Sequence, residues 1–321
     1  MTALLGDIGG TNARFALWNG QHVESVRVLP TVDYPSAEAA IAAYLRDIGQ
    51  PVEALQVVCL ACAGPVSGDE FAFTNNHWRL NRHAFCRALG LRDLLLINDF
   101  AAMALGITRL PDDELIEIYP GQPEAGRPRL VLGPGTGLGV ATLLPLTDGG
   151  WRALPGEGGH VCLPVGSVRE AALWACLHAE LGHVNAEAIL SGSGLLTLYR
   201  ASCTLDGRQP RLTTPMEITA AAQAGDVYAE AVLEQFCVWL GRTAGDNVLT
   251  TGAQGGVYIT GGIVPRFVEF FARSGFSQSF RDKGRMSRYF DNIPVWVVTA
   301  EYPGLEGAGV ALQQWLECAA Q

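Results

Sequence analysis

The sequence has 321 residues, with 22 basic and 32 acidic side chains and a formal net charge of −10. An acidic surface repels phosphate and anionic lipid, which excludes a general affinity for nucleic acid or for membrane surfaces. Hydrophobic residues make up 49% and charged residues 17% of the chain, which excludes a disordered protein. A chain of this length exceeds the usual size of one hydrophobic core, so we expect two domains.

Lysine occurs only once, at Lys283, and this excludes one class of nucleotide site. The P-loop motif G-x-x-x-x-G-K-[ST] needs a lysine that reaches the outer phosphates. The sequence around Lys283 does not match that motif. A nucleotide site in this protein must therefore bind phosphate with other groups.

The N-terminus and the cysteines indicate the compartment. A strand pattern begins within the first residues, without the features of a signal peptide, and no apolar run approaches the roughly 18 residues of a membrane span. Cys59 and Cys62 have the C-x-x-C spacing of a redox or metal motif, but they lie in an apolar run that predicts buried, inert thiols. We expect a soluble, cytoplasmic protein with reduced cysteines.

Strand and helix patterns alternate along the first third of the chain, which is typical of an α/β protein. Strands are predicted at residues 4–7, 14–18, 23–29, 55–61 and 94–97. Helices are predicted after the N-caps Ser36 and Asn81, and from Phe100 onward.

The second half restarts this scheme. Residues 120–128, rich in Gly and Pro, predict a connection between domains. Strands are then predicted at residues 130–132, 140–144, 256–259 and 295–299, and helices at 168–182, 227–249 and 305–316.

Two glycine-rich turns, GDIGGT at residues 6–11 and GPGTG at residues 133–137, each connect one strand to another. Glycine lets backbone N–H groups approach a phosphate without a Cβ in the way. One such unit in each half predicts a duplicated molecule with a cleft that both turns face. Asp7 would repel phosphate unless a cation lies between, so we expect it to place Mg²⁺, directly or through water. Neither turn leads into a helix, which excludes a Rossmann fingerprint.

Asn98 and Asp99 follow the predicted strand at residues 94–97, where α/β proteins place functional groups. One interpretation is an N-cap for the next helix. The other makes Asp99 a general base that takes a proton from an attacking hydroxyl, with Asn98 as a hydroxyl-binding amide.

The segment LPGEGGH at residues 154–160 places Glu157 and His160 on a glycine-rich loop. Carboxylate and imidazole groups can bind the vicinal hydroxyls of a sugar. The same pair could ligate a metal, but no cluster of further ligands follows at a suitable spacing, so no zinc site is predicted. Glu187 alone has the pattern of an exposed helical glutamate.

Five motifs together resemble the bacterial ATP-dependent glucokinases, and they occur in that family's order across almost the whole chain. They are LGDIGGTNAR at residues 5–14, INDFAA at 97–102, GPGTGLGVA at 133–141, LPGEGGH at 154–160 and TGGIVPRF at 260–267. The resemblance implies an α/β, two-domain actin-like ATPase fold (ribonuclease H-like, duplicated) with an interdomain cleft. Residues 1–108 plus 300–321 would form a small α/β domain, and residues 109–299 a large α+β domain.

The resemblance also implies the activity. The ATP γ-phosphoryl group would be transferred to the 6-hydroxyl of D-glucose, the first step of glycolysis, with ATP and Mg²⁺ as cofactors and a homodimer as the assembly. A kinase for fructose, mannose or an N-acetyl amino sugar stays open, as does a non-enzymatic actin-like ATPase. A sugar-sensing repressor would need a DNA-binding segment, yet only six residues precede Asp7.

The resemblance also implies roles for residues at the matching positions of this sequence. Asp99 would be the catalytic base. The sugar would be bound by Asn98, Asp99, Glu157, His160 and Glu187. The nucleotide would be bound by Gly6, Asp7, Ile8, Gly9, Gly10, Thr11, Gly133, Gly135, Thr136, Gly137, Gly261 and Gly262. The zinc-binding cysteine cluster of the broader repressor and kinase family is absent, so no zinc is implied. Ala188 stands where many relatives have Arg, a departure next to Glu187.

Overall fold

The computed structural model describes residues 3–64, 66, 68–73 and 76–319. The strands are β1 (Ala3–Ile8), β2 (Asn12–Trp18), β3 (Val23–Pro30), β4 (Val57–Cys62), β5 (Glu70–Ala72), β6 (Arg79–Asn81), β7 (Asp93–Asn98), β8 (Leu115–Tyr119), β9 (Arg129–Pro134), β10 (Leu138–Pro145), β11 (Trp151–Gly156), β12 (Val257–Ile259) and β13 (Val295–Val298). The α-helices are α1 (Ala37–Asp47), α2 (Arg82–Leu89), α3 (Asp99–Gly106), α4 (Val168–Leu181), α5 (Gly192–Leu205), α6 (Pro215–Gln223), α7 (Val227–Thr251), α8 (Val268–Arg273), α9 (Phe276–Arg281) and α10 (Pro303–Ala319).

The chain divides into two compact units. The first unit comprises Met1–Pro111, Trp151–Pro155 and Ala300–Gln321, and the second comprises Asp112–Gly150 and Gly156–Thr299. Residues 120–128 lie inside the second unit, between β8 and β9, so the predicted connection between domains is wrong at this segment. The domain boundaries expected at residues 108/109 and 299/300 stay a prediction.

The first unit is built on a five-stranded sheet of order β3-β2-β1-β4-β7. The hairpin pairs β1–β2 and β2–β3 are antiparallel, and the pairs β1–β4 and β4–β7 are parallel. Side chains alternate between the two faces of a strand. Accordingly, Leu4 of β1 packs in a core with α1 and α2, whereas Leu5 packs in a second core with α10.

The same alternation explains why the two cysteines of the C-x-x-C motif lie on opposite faces of the sheet. Cys59 belongs to the core on the α10 face and Cys62 to the core on the opposite face, because three residues of extended chain reverse the side-chain direction. Both thiols are free and buried, and burial raises the pKa of each. The prediction of buried, inert cysteines is confirmed.

Helix starts in the first unit follow the predicted capping residues. Ser36 accepts a hydrogen bond from the Ala39 amide at the start of α1. Asn81 does the same for the Ala84 amide at the start of α2. An N-cap side chain replaces a hydrogen bond that the first turn of a helix cannot make internally, which is why local sequence located these helices well.

The second unit repeats the strand arrangement of the first. Five of its strands follow the order β10-β9-β12-β13-β8. The pair β9–β10 is antiparallel, and the pairs β9–β12 and β12–β13 are parallel. In the first unit, β1 likewise has an antiparallel neighbour, β2, on one side and the parallel strands β4 and β7 on the other. The predicted duplication of an actin-like α/β unit is therefore confirmed.

Helices α4 to α9 surround the core of the second unit. The 25-residue helix α7 begins after the N-cap Asp226 and ends at Gly252, which has a positive φ of 67°. Phe236, Trp239 and Leu240 on this helix are fully buried in that core. The helix gives the sheet of the second unit a continuous apolar backing. None of the helices in the described ranges is both long enough and apolar enough to cross a membrane.

Helices α3 and α10 cross at unusually close range in the first unit. A Cβ at Gly307 would overlap the Ala102 carbonyl oxygen, and one at Gly106 would overlap the Pro303 carbonyl oxygen. Glycine weakens a helix interior by roughly 0.5–1 kcal/mol relative to alanine, so its presence here reflects the close approach of the two backbones. The crossing fixes the first turn of each helix relative to the sheet.

We predict that Gly307→Ala destabilises the protein by about 1–3 kcal/mol or more, because the added methyl group pushes α10 away from α3. The higher helix propensity of alanine offsets only about 1 kcal/mol of this loss in stability. Urea unfolding measures the effect. Gly156→Ala is the matched control, since a Cβ there meets nothing within 4 Å. Equal stability of the Gly307 variant and the parent protein would contradict the proposed packing.

Candidate active site

The first glycine-rich turn connects β1 and β2, and hydrogen bonds from residues outside the turn hold its carbonyl groups. Thr31 donates its hydroxyl to the Gly10 carbonyl (2.8 Å), and its backbone amide donates to the Thr11 carbonyl (2.9 Å). The Asn76 side chain donates to the Gly9 carbonyl (3.1 Å). Within the described ranges, the amides of Gly10 and Thr11 have no such partner. The turn therefore has its carbonyl groups fixed and two donors available to an anion.

Two predicted phosphate-binding residues lie in the strand before this turn. Gly6 and Ile8 belong to β1, where their backbone groups join the sheet. A Cβ at Gly6 would lie 2.5 Å from the Leu60 side chain and 3.2 Å from Phe15, so glycine fits this tightly packed position without a shift of its neighbours. These residues support the turn from within the sheet.

Asp7 faces α10, and its side chain is 20% exposed. Its Oδ2 lies 3.4 Å from Nη1 of Arg14, the residue directly opposite on β2. A Cβ at Gly304 would lie 3.2 Å from the same oxygen, so a larger residue there would crowd the carboxylate. Burial raises the pKa of Asp7, and the positive charge of Arg14 partly offsets this.

Asn98 and Asp99 lie at the junction of β7 and α3. The Asn98 Oδ1 accepts from the Ala101 amide (2.9 Å), so this side chain is the N-cap of α3. Its Nδ2 donates to the Gly64 carbonyl (3.3 Å) and to Asp99 Oδ1 (3.2 Å). The capping interpretation is therefore confirmed for Asn98, while its amide also orients the carboxylate of Asp99.

The second glycine-rich turn lies between β9 and β10. The Gly135 amide donates to the Gly137 carbonyl (2.7 Å), and the Gly135 carbonyl accepts from the Gly192 amide (2.9 Å) at the start of α5. Gly133 is buried in β9. The turn is thus tied to the first turn of a helix, whose N-terminal end favours negative charge.

Glu187 lies in a turn, not in a helix, so the pattern that suggested an exposed helical glutamate was misleading. Its Oε2 accepts from the Leu138 amide (2.8 Å), the residue directly after the glycine-rich turn. A Cβ at Gly137 would overlap the same carboxylate. Glu187 therefore stabilises the conformation of the second turn.

Glu157 and His160 lie on the glycine-rich loop, close to Glu187. The Asn185 amide lies 3.1 Å from His160 Nδ1 and can only donate, so the proton of a neutral His160 is on Nε2. That Nε2 lies 3.7 Å from Glu187 and 3.9 Å from Glu157. Two carboxylates and an N–H donor thus converge, and such a set can bind the neighbouring hydroxyls of a sugar.

Glycine is required in this loop by close packing. A Cβ at Gly159 would overlap the Leu138 carbonyl oxygen, and a Cβ at Gly158 would lie 2.6 Å from Asn247. The Glu187 amide donates to the Gly159 carbonyl (2.9 Å). The loop, the second turn and Glu187 are therefore one hydrogen-bonded assembly.

A cavity of about 420 Å³ opens beside the second turn. Three of the predicted nucleotide residues, Gly135, Thr136 and Gly262, line it. Gly261 has a positive φ of 83°, and a Cβ there would lie 2.6 Å from the Pro134 carbonyl oxygen, so it positions this wall.

The apolar walls of the cavity are formed by residues that the sequence did not single out. They are Leu195 of α5, Met216 of α6 and Ile263. An apolar cavity next to a phosphate-type turn has the character of a nucleoside site. The signal available in sequence was weak, because α5 begins with Gly-Ser-Gly and was not predicted as a helix.

Arg14 is the other residue that the sequence did not assign. It is part of the first motif, but only pairing across β1 and β2 shows that it faces Asp7. Its side chain is 34% exposed and makes one contact with that carboxylate, which leaves other guanidinium donors available.

Comparison with known proteins gives a consistent result. The family model described as Glucokinase matches residues 4–315. A glucokinase of Pseudomonas paraeruginosa is 57% identical over 316 residues, which cover 98% of this chain and 93% of the relative.

Solved structures agree. A glucokinase from an Antarctic psychrotroph has a TM-score of 0.87 and 35% identity, with 98% of this chain and 99% of that chain covered. Glucokinase from Balamuthia mandrillaris in complex with glucose has a TM-score of 0.76 at 24% identity, with 96% and 92% covered, and supports the fold.

The duplicated fold with its two glycine-rich turns is that of the actin-like ATPase class, and the enzyme is an ATP-dependent hexose kinase. The chain belongs to the glucokinase family.

We predict that the stability of an Asp7→Asn variant relative to the parent depends on pH. A raised pKa means that the fold disfavours the charged carboxyl, so the parent loses stability as the pH rises from below 3.8 through the folded-state pKa. The variant lacks this loss and should be relatively more stable at pH 7 than near pH 4. Urea unfolding at both pH values measures the difference, and Asp33→Asn, at an exposed site, is the control. The same difference at both pH values would contradict the prediction.

Glu187 allows a second prediction. Glu187→Ala leaves the partly buried Leu138 amide without its acceptor and should lower the free energy of unfolding by about 1–3 kcal/mol. Glu187→Gln keeps a carbonyl oxygen in place and should cost clearly less. Denaturant unfolding of both variants provides the measurement. Equal losses in the two variants would show that the Leu138 bond does not matter.

Proposed function

We propose that this protein transfers the γ-phosphoryl group of ATP to the 6-hydroxyl of D-glucose, giving glucose 6-phosphate and ADP. One observation carries the proposal most strongly. Glu187 bonds to the amide that follows a phosphate-type turn and lies 3.7 Å from His160 in a hydroxyl-binding cluster. Groups suited to a nucleotide and groups suited to a sugar thus belong to one bonded assembly.

ATP is bound mainly by backbone donors in this proposal. The first turn contributes the amides of Gly10 and Thr11. Gly9 shapes this turn through its own amide bond to the Asn12 carbonyl (3.0 Å), and Gly6 and Ile8 support it from β1. The second turn contributes residues 133–137, and the cavity beside it takes the adenosine, next to Gly261 and Gly262. Support comes from the free amides of the first turn and from the apolar walls of the cavity.

Asp7 would hold Mg²⁺, directly or through water. Mg²⁺ usually binds to one or two carboxylates together with substrate phosphates and water, so a single carboxylate next to a phosphate-type turn fits. The Asp7 contact with Arg14 uses Oδ2 and leaves Oδ1 for this purpose. When bound, the ion would neutralise charge on the transferring phosphoryl group.

Arg14 adds a fixed positive charge beside Asp7. A guanidinium group can donate to phosphate oxygens while it keeps one contact with a carboxylate. We infer that Arg14 stabilises charge on the phosphates, in part replacing the lysine that P-loop proteins use.

Asp99 would act as the general base. It accepts the proton of the sugar hydroxyl as the oxygen attacks the γ-phosphorus. Asn98 Nδ2 (3.2 Å) and the Phe100 amide (2.9 Å) donate to its Oδ1, and these two bonds orient the carboxylate. Asn98, Glu157, His160 and Glu187 would bind the other hydroxyls, so that the reacting hydroxyl is held in line.

An assay of ADP release across a panel of hexoses tests the function. We expect rapid release with glucose, and slower release with fructose, mannose or N-acetylglucosamine. ADP release that does not depend on any sugar would contradict the proposal. Preference for another hexose would assign the same chemistry to a different substrate.

Two further proposals concern the setting of the enzyme. All eight cysteines are free, which supports a reducing compartment such as the cytoplasm. We also expect a homodimer. Light scattering of the purified chain measures its mass directly, and a monomer would contradict this expectation.

We predict that Asp99→Asn lowers kcat by about 10²- to 10⁴-fold, because loss of a general base typically costs this much. The KM for glucose should change little, since the amide keeps its shape and hydrogen bonds. Glu157→Gln is the matched control: the same chemical change should raise the glucose KM and affect kcat less. Near-normal kcat in the Asp99 variant would remove this residue from the base role.

A further inference from the structure

A second cavity of about 420 Å³ lies in the second unit and shares no lining residue with the cavity beside Gly135. It lies between the C-terminal half of α5, the loop at residues 206–214 and the start of α7. The residues relevant to its chemistry are Tyr199, Arg208, Arg211, Asp226 and Tyr228. None of them has a role in the proposed phosphoryl transfer.

Two arginines give this cavity a positive wall. The Arg208 guanidinium lies over the ring of Tyr228, 4.4 Å from its centroid. Such stacking holds the guanidinium plane while its N–H edge stays available. Across the described ranges, neither Arg208 nor Arg211 forms an ion pair.

Tyr199 adds a buried donor. Its side chain lines the cavity, and the residue is only 5% exposed. The hydroxyl oxygen accepts from the amides of Arg211 (3.1 Å) and Leu212 (3.4 Å). A phenol oxygen that accepts two hydrogen bonds still carries its own proton. No acceptor for that proton occurs in the part of the chain that the structure describes, so a ligand in the cavity can take it.

The carboxylates near the cavity already have partners. Asp206 forms a bidentate pair with Arg169 (2.7 and 3.0 Å) and accepts from the Tyr228 hydroxyl (3.0 Å). Asp226 caps α7 and accepts from the amides of Tyr228 and Ala229 (3.0 and 2.8 Å). Their charges are thus offset by Arg169 and by the N-terminal end of α7. Hydrogen bonding from Arg169 lowers the pKa of Asp206, and the positive charge of Arg208 adds to this effect. Neither Arg208 nor Arg211 forms an ion pair in the described ranges, so both guanidinium groups can still contact a ligand.

We propose that this cavity binds a small dianion, either a phosphate monoester or a dicarboxylate. Two guanidinium groups and a phenol donor can contact several oxygens of such a ligand. The aromatic rings suit its carbon portion. A positive cavity stands out in a chain with a net charge of −10.

Binding here has a consequence for the nucleotide cavity. The loop with Arg208 and Arg211 continues directly into α6, where Pro215 and Met216 line the cavity beside Gly135. A ligand that draws this loop inward would shift the start of α6. We therefore expect a bound dianion to change the KM for ATP, a step that rests on the proposed function.

Calorimetric titration of the full chain tests the binding. The probes are glycerol 3-phosphate and succinate, added with ADP and glucose present in excess to occupy the phosphate turns. We expect one probe to bind, and the double variant Arg208→Gln/Arg211→Gln to bind it at least tenfold more weakly. Arg285→Gln, at an exposed arginine of the same unit, is the control and should bind like the parent.

Each titration result has a defined meaning for the proposed site. Binding of only one probe identifies its class as the ligand chemistry. No heat with either probe at millimolar concentration, or equal affinity in the double variant, would overturn the site. Tyr199→Phe should also weaken binding, and unchanged affinity there would contradict the role of its proton.

The KM for ATP gives the second measurement. The bound probe should change it in the parent protein and leave it unchanged in the double variant. An unchanged KM despite measured binding would overturn the link to the nucleotide cavity. Failure of the proposed function would appear separately, as ADP release that does not depend on glucose, while the titration would still report on the cavity.

Discussion

The close crossing of α3 and α10 is the constraint on which the first half of the site depends. Gly106 and Gly307 let the two helix backbones touch, so each helix has one available position above the sheet. The start of α3 then carries Asp99, and the start of α10 places Gly304 against Asp7. The proposed base and the proposed magnesium ligand are therefore set by one packing contact. The glycines that weaken both helices are what this position requires.

In the second unit, the carboxylate of Glu187 has the corresponding role. It fixes the end of the glycine-rich turn through Leu138 and faces His160 on the other side. In the proposed function, a change in sugar binding would reach the second glycine-rich turn through a single side chain. Because both contacts belong to one residue, the local geometry of the glycine-rich turn and that of the loop with His160 are linked within this unit.

The structure also changes how the acidic composition is understood. The sequence alone suggested that the metal must supply the positive charge at the phosphates. In the proposed site, Arg14, opposite Asp7, would provide a fixed cation there. The single lysine serves packing instead: Lys283 bonds to Asp246 (2.7 Å) and to the Arg242 carbonyl (3.0 Å) beneath α7.

Local chemistry explains which elements could be predicted from the sequence. Strands with continuous apolar runs, such as β4, and helices with strong N-caps, such as α1, carry their signal within a few residues. Strand β8 does not, because its partner β13 lies far away in the chain. Helix α5 begins with glycines and is stabilised by the Ser191 cap and by packing, so its pattern resembled a loop.

The residues of the candidate site also fall into those that a local motif predicts and those that depend on distant partners. The glycine-rich turns and the cap at Asn98 were visible as motifs. The setting of Glu187 was not, since its partner Leu138 lies 49 positions away and its own segment looked helical. The walls of the cavity beside Gly135 could not be predicted either, because they come from α5, α6 and the segment after β12.

Phosphorus NMR of the protein mixed with magnesium, ATP and glucose tests the central claim most directly. We expect the signals of ADP and of a sugar phosphate monoester to grow at the same rate, with the ester phosphorus coupled to the two protons on carbon 6. Almost no inorganic phosphate should form, and little ADP should form without glucose. Inorganic phosphate released at the same rate with and without glucose would show that water, not the sugar, accepts the phosphoryl group.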